Sequence, residues 1–157
     1  RILYVQGLGG VSFANNAGAI GADGEAFNST INGTGPVSGV GPIGVRGGIF
    51  GVFIEDGDIS GLTAPANFSQ SSLTEASYAP GLRQVFFIGD GYADAGQTIQ
   101  QQFFVPDGAS KLVFGIADAF SWNGNIGWYG DNTGEYLVEY AVTAVPEPAS
   151  MIALGVG

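Results

Sequence analysis

Five short oxygen-bearing side chains are grouped in one stretch of the chain, between two strand-like runs: Asp118, Asn123, Asn125, Asp131 and Asn132. Calcium prefers roughly six to eight oxygen ligands, drawn from carboxylates, amide side chains and backbone carbonyls. Glycines in the same stretch can adopt left-handed dihedrals, so the backbone can fold around an ion. These residue types therefore favour a calcium-binding loop.

A loop of this composition has an ordinary alternative. Asp and Asn side chains also cap their own backbone in turns between strands, so a Gly/Asn-rich turn without metal fits the same residues. The stretch is not an EF-hand, because no run combines the regular Asp/Asn spacing with a distal Glu. Residue types alone leave both interpretations open.

The two runs that flank the loop have a period of two. Apolar side chains alternate between the two faces of residues 112–117, and a strict alternation returns over residues 135–142. This period is typical of β-strands with one buried face. We expect both strands to come from an antiparallel, core-facing sheet.

The segment Trp128–Gly134, together with the earlier Asp118, resembles the calcium loop of the small galactophilic bacterial lectins. That family has a jelly-roll β-sandwich, and the resemblance implies calcium held by Asp118, the Trp128 carbonyl, Asp131 and Asn132. Asp131 stands where the family has Asn, which adds negative charge that suits calcium. The family's sugar-contacting His has no counterpart, because the chain has no histidine. Calcium is thus implied more directly than galactose.

Two tryptophans in the same loop, expected to be exposed, raise the possibility of sugar binding. Trp122 and Trp128, with Asn125, are candidate carbohydrate contacts, since aromatic rings can stack on sugars. A loop Trp is as often a cover over the core.

Composition limits the class of protein. The chain has 157 residues, of which 28 are Gly, with 45% hydrophobic and 11% charged residues. This predicts an all-β antiparallel sandwich of jelly-roll type with long Gly-rich loops. The net charge of −10 excludes binding to nucleic acid or anionic lipid by electrostatics. Without cysteine, neither disulfides nor a zinc-thiolate site can form.

Other strands are expected at Ile2–Gln6, Ile49–Ile54, Gln84–Ile88 and Thr98–Val105. Residues 14–48 are the least regular part, and any strand within Val37–Val45 should be short or at an edge. A helical turn is expected near residues 71–76. The order of residues 104–118 resembles a jelly-roll half of secreted domains with galactose-binding-like folds. We expect one sandwich domain over residues 1–144.

Residues 145–157 form a distinct tail. Pro146, Glu147 and Pro148 followed by apolar residues resemble the start of a PEP-CTERM sorting signal. That family implies export in a Gram-negative bacterium, recognition by an exosortase, and a place on the cell surface or in the secreted matrix. The membrane helix and basic cluster of the full signal are not in this sequence, because the seven residues 151–157 cannot span a bilayer, which needs about twenty.

The residues do not predict an enzyme. The usual nucleophile–base pairs are missing without His and Cys. We expect a calcium-stabilised structural protein of an extracellular filament or biofilm matrix. The alternative is a calcium-dependent, lectin-like carbohydrate-binding module, and extracellular polysaccharide is a candidate partner of either. Self-association is expected through a terminal segment, either Ile2–Gln6 or the tail from Thr143, although pairing of Ile2–Gln6 within its own sandwich is the default.

Overall fold

Strands dominate the computed structural model, which describes residues 1–13 and 19–145. The predicted all-β fold is confirmed, and the only helical elements in the described ranges are two short 3-10 turns, Phe120–Trp122 and Tyr129–Asp131. The strands are β1 (Ile2–Ser12), β2 (Ile20–Gly21), β3 (Glu25–Asn32), β4 (Val40–Arg46), β5 (Phe50–Glu55), β6 (Ser77–Tyr78), β7 (Val85–Phe87), β8 (Gln102–Phe104), β9 (Ala109–Gly115), β10 (Asn123–Asn125) and β11 (Thr133–Thr143).

The strands form three sheets. The first, which we call the β1 sheet, has the order β11-β1-β8-β6, with β2 also paired to β1. The second, the β5 sheet, has the order β7-β5-β9, and the third, the β3 sheet, has the order β10-β3-β4. Most pairs are antiparallel, and β1 pairs with β11 over their whole lengths, from Ile2 opposite Thr143 to Ser12 opposite Thr133.

The β5 sheet lies between the other two, because its faces contribute to different core clusters. Phe53 and Phe86 point to a core shared with Leu3, Val5 and Phe103 of the β1 sheet. The neighbouring residues on the same strands, Phe50 and Phe87, pack with Ile31, Val40 and Ile43 of the β3 sheet. Face-to-face packing of this kind is that of a β-sandwich, here with a third layer. The jelly-roll connectivity stays a prediction.

One expectation about the central pair of strands is wrong. The strands that flank the Asp/Asn loop do not share a sheet: β9 pairs with β5, and β11 pairs with β1. Their inner faces meet instead across the sandwich, where the ring centroids of Phe114 and Tyr140 lie 5.8 Å apart. A period of two identifies a half-buried strand but carries no information about its partner. The loop therefore crosses from one sheet to the other.

Residues 14–48 were expected to be the least regular part of the chain, yet β3 is a strand of 8 residues in the middle of its sheet. The strand expected within residues 37–45 to be short or at an edge is β4, which has 7 residues and does lie at the edge of the β3 sheet. The pairing of β3 with β4 contains two register shifts, which disrupt the alternation that a sequence pattern would need. Close backbone approach also selects glycine here. Gly41 has a φ of 102°, and a Cβ at this position would clash with the Ser29 carbonyl oxygen.

The helical turn expected at residues 71–76 is not present, since this described segment is irregular. Its backbone groups are used by side chains from elsewhere. The Tyr78 hydroxyl donates to the Ser72 carbonyl and accepts from the Glu75 amide, while the buried Gln101 amide donates to the carbonyls of Leu73 and Glu75. These bonds replace those of a helical turn.

Candidate functional site

The loop between β9 and β11 is anchored at its middle by the short strand β10. β10 runs parallel to β3, with Asn123 opposite Thr30 and Asn125 opposite Asn32. The Asn123 Oδ1 accepts from the Thr30 amide, and Asn32 Nδ2 donates to Asn125 Oδ1 at 2.9 Å. Asn123 and Asn125 therefore extend the sheet through their side chains. Their side-chain oxygens, Oδ1, already accept hydrogen bonds from the β3 sheet.

Asp118 lies at the base of the loop and is buried, with 4% of its surface exposed. Its Oδ2 accepts a hydrogen bond of 2.9 Å from Asn132 Nδ2, and its backbone carbonyl accepts from the Gly127 amide. Burial raises the pKa of Asp118; the bond from Asn132 opposes this rise, and the negative charge of Asp131 adds to it. An ionised Asp118 is thus costly unless a cation lies nearby.

Asn132 carries a polar atom that the fold leaves unused. Its Nδ2 binds Asp118, but its Oδ1 is buried and has no hydrogen-bond partner among the described residues. An unpaired buried carbonyl oxygen costs free energy comparable to a lost hydrogen bond. The Asp118 carboxylate, the unused carbonyl oxygen of the amide that contacts it, and a second carboxylate close enough to affect the first are ligand types that a hard cation prefers.

Trp128 and Asp131 complete the set of ligands expected from the sequence. Trp128 has a left-handed backbone with a φ of 69°, which turns the chain into the 3-10 turn at Tyr129–Asp131. Its carbonyl accepts only a long bond of 3.5 Å, from the Asp131 amide. Asp118, Asp131 and Trp128 line the same cleft. Within the described residues, no group of three or more acidic side chains converges as a ready metal site; two carboxylates, an amide and a carbonyl are what this loop offers.

The cleft beside this loop has a volume of about 360 Å³, within the size of small-ligand sites. Its walls also include Phe13, Phe27, Arg46, Phe120 and Trp122. Its rim carries an exposed aromatic pair, since Trp128 is 58% and Phe120 65% exposed, with ring centroids 5.1 Å apart.

The two tryptophans of the loop differ in their surroundings. The expectation that Trp122 is exposed is wrong: the side chain is buried and packs edge-on against Phe13, with ring centroids 4.6 Å apart. It belongs to the small core cluster of Val11, Phe13 and Ile20. Asn125 pairs with Asn32 and does not line the cleft. Of the three candidate sugar contacts, only Trp128 presents an exposed ring.

Sequence reasoning missed two residues of this cleft. Phe120 lies two positions before Trp122, so its apolar ring in a polar loop was a signal available in the sequence. Arg46 had no such signal, because it reaches the cleft from β4. It forms an ion pair with Glu25 at 2.8 Å and lies over the Phe27 ring, 5.2 Å from its centroid.

The sorting motif Pro146, Glu147 and Pro148 lies outside the described residues. Among residues 1–13 and 19–145, no helix has the length and hydropathy that a membrane span requires. No protein-family model, curated protein or solved structure matches this chain.

Proposed function

We propose that the chain is a non-enzymatic extracellular structural protein whose loop between β9 and β11 binds one calcium ion. The observation that carries the metal is the buried, unpartnered Oδ1 of Asn132 next to the buried carboxylate of Asp118. Asp118, Asp131, Asn132 and the Trp128 carbonyl are the protein ligands, and water completes the shell.

Calcium at this position has a structural role. The loop connects the β1 sheet to the β5 sheet and contacts the β3 sheet through β10. An ion that relieves the repulsion between two carboxylates in this loop stabilises the connection between all three layers. A chain with net charge −10 attracts such an ion.

A titration followed by tryptophan fluorescence tests the metal, because Trp122 and Trp128 lie in the loop between Asp118 and Asp131. We expect a saturable change with calcium, a weaker response to magnesium, and none for Asp118→Asn. Glu75→Gln, a loss of one carboxylate in the exposed segment before β6, is the matched control and should respond as the parent does. A parent chain without a calcium response overturns the proposal.

Secretion to the surface of a Gram-negative bacterium, with an exosortase as transient partner, is a further part of the proposal. It rests on the motif Pro146-Glu147-Pro148 in the sequence. Fractionation of cells that produce the chain tests it: the protein should be found outside the cytoplasm, and retention in the cytoplasm would contradict the assignment.

A second candidate is a calcium-dependent carbohydrate-binding module. The exposed Phe120–Trp128 ring pair favours it, because two adjacent rings above Asp131 and Arg46 combine a stacking surface with hydrogen-bonding groups. A glycan array with and without chelator separates the two functions. Binding that requires calcium and is lost in Trp128→Ala, but kept in Leu137→Ala, supports the module; an array without signal favours the purely structural role.

Exchange of a terminal strand between subunits was the expected route to a filament. In the structure, Ile2–Gln6 pairs with β11 of its own chain, and Ile2 and Leu3 also pair with β8. A filament built by exchange of this strand requires β1 to leave both neighbours. Thr143 is held opposite Ile2, and the tail beyond residue 145 lies outside the described residues.

A further inference from the structure

A pocket of about 210 Å³ lies between the β5 sheet and the β3 sheet. Phe50 and Val113 line it from the β5 sheet, and Ile31 and Val40 line it from the β3 sheet. Ile126, in the loop between β9 and β11, is also part of its lining. Three parts of the fold thus build a cavity here, which we call the apolar pocket; it is not the uncovered face of a single sheet.

The apolar pocket extends from the surface to the core. Ile31, Val40 and Phe50 are buried and belong to the core cluster between these two sheets. Val113 is 48% and Ile126 37% exposed, so these two residues lie toward the solvent. A molecule that enters beside Val113 and Ile126 therefore contacts side chains of the core.

The lining of the apolar pocket has no charge. Among the described residues that line it, none is acidic or basic, although the chain has 14 acidic and 4 basic residues. Two of its polar side chains already form hydrogen bonds: Asn32 donates to Asn125, and the Ser38 hydroxyl bonds to the backbone of Gly39 and Val85. A charged ligand would lose its hydration without gaining a partner, which is costly. The pocket therefore selects against charged molecules.

Gly115 keeps the apolar pocket open. It lines the pocket and pairs with Phe50 in the β5 sheet, and a Cβ built on it would meet no other atom within 4 Å. Its φ lies outside the left-handed region, so neither backbone conformation nor crowding requires a glycine here. A glycine in a strand weakens the strand and often marks a place where a ligand approaches the backbone closely. The open space beside Gly115 fits such a place.

We propose that the apolar pocket binds a small, uncharged, apolar molecule of the size of one aromatic ring. An apolar cavity of about 150 Å³ binds benzene, so a pocket of about 210 Å³ accommodates a ring with a short substituent. Removal of the apolar surfaces of ligand and pocket from water supplies the affinity. None of the proposed calcium ligands lines the apolar pocket, so the site does not depend on the metal.

Titration of the full chain with toluene in the presence of chelator, followed residue by residue by NMR, tests the proposal. We expect saturable shifts at the amides of Gly51, Val113 and Ile126. Benzoate and benzylammonium, which carry charges of opposite sign on a similar ring, should each bind at least tenfold more weakly. The second ion controls for the net charge of −10, which attracts cations.

Three results of this titration would overturn the proposal. The first is the absence of saturable shifts with toluene. The second is a set of shifts centred on the other apolar groove, beside Leu112 and Tyr140. The third is an affinity for either charged ring equal to that for toluene. Because the titration is carried out in chelator, none of these results bears on the calcium site.

Variants locate the site. Gly115→Leu fills the open space and should raise the dissociation constant of toluene at least tenfold. Gly44→Leu is the matched control and should bind as the parent does, because Gly44 is also an exposed strand glycine with open space for a Cβ but does not line the apolar pocket. Val113→Asp places a carboxylate toward the solvent side of the pocket and should also weaken binding at least tenfold.

Circular dichroism verifies the fold of each variant, and Val113→Asp carries the test if Gly115→Leu does not fold. Unchanged affinity for toluene in either folded pocket variant overturns the proposal. An equal loss of affinity in Gly44→Leu overturns it as well.

Discussion

At the scale of single residues, the proximity of Asp118 and Asn132 was accessible from the sequence, whereas the burial of Trp122 was not. Asp118 and Asn132 are 14 positions apart and in contact, as the resemblance to a calcium loop implied. Trp122 was misplaced because a left-handed backbone at Ser121 and Trp122 turns the ring into the core. Such dihedrals are rare for residues other than glycine, and no pattern in the chain predicts them.

The first prediction concerns Asp118→Asn. Because burial raises the pKa of Asp118 in the fold above its ordinary 3.8, the stability that protonation provides is present below that value. It is lost as the pH rises through the raised pKa. In chelator at neutral pH, the variant should therefore melt at or above the melting temperature of the parent. When the pH is raised from 4, the variant should lose less stability than the parent does.

With calcium at a hundredfold excess over its dissociation constant, the parent should gain about 2.7 kcal/mol. This corresponds to roughly 5–10 °C in a domain of this size. Asp118→Asn should gain nothing, while Asp107→Asn, at the other end of β9, should respond as the parent does. If calcium raised the melting temperature of Asp118→Asn as much as that of the parent, Asp118 would not be a calcium ligand. Calorimetry with and without chelator provides the measurement.

At the scale of the elements, apolar runs identified the interior strands. β5 and β7 were predicted within two residues of their ends, since both are buried on two faces and need no alternation. β8 covers only part of the run Thr98–Val105. Asp94 accounts for the rest, because its carboxylate accepts from the amides of Thr98 and Ile99 and holds them in a loop. This capping spans only four and five residues, and the alternation of apolar residues carries no signal of it.

The second prediction concerns the covered edge of β7. Gln70→Ala removes two hydrogen bonds to the backbone of Phe87 and leaves those groups, next to the core, without a partner. We expect a loss of about 2 kcal/mol in the free energy of unfolding, measured by urea denaturation. Gln100→Ala, an exposed glutamine without a side-chain bond to β7, should change it by less than about 0.5 kcal/mol. Similar midpoints for the two variants would show that Gln70 does not support this edge.

At the scale of the molecule, Arg83 connects distant parts of the chain. Its Nη1 donates to the carbonyls of Pro36 and Thr63, and its amide donates to the Phe53 carbonyl. Its Nε lies 3.1 Å from Glu55 Oε1, in an ion pair without the alignment of a hydrogen bond. The guanidinium thus fastens the segments that precede β4 and β6 to Glu55 of the middle sheet.

The third prediction follows from these contacts. Arg83→Ala should lower the free energy of unfolding by about 2–4 kcal/mol, because it leaves the Glu55 carboxylate and two carbonyls without their partner. Arg83→Lys, which keeps the positive charge but not the planar set of donors of the guanidinium, should recover only part of this free energy. Arg46→Ala, the loss of an exposed ion pair, should cost less than about 1 kcal/mol. Equal losses for Arg83→Ala and Arg46→Ala would contradict this role.

The register of β1 and β11 also decides how the molecule responds to mechanical load. Ile2 lies opposite Thr143, and Ser12 lies opposite Thr133. Force applied between residues 2 and 143 therefore opens the ladder one hydrogen bond at a time, whereas force between residues 2 and 133 loads the whole ladder in shear.

Because the chain has no native cysteine, paired cysteine handles at these positions allow both pulls in a single-molecule experiment. We expect a clearly lower rupture force for a pull between residues 2 and 143 than for one between residues 2 and 133. Equal rupture forces would contradict this prediction. A chain held in a matrix at these two adjacent points would peel apart under tension, and would bear load only when pulled across the length of its longest strand pair.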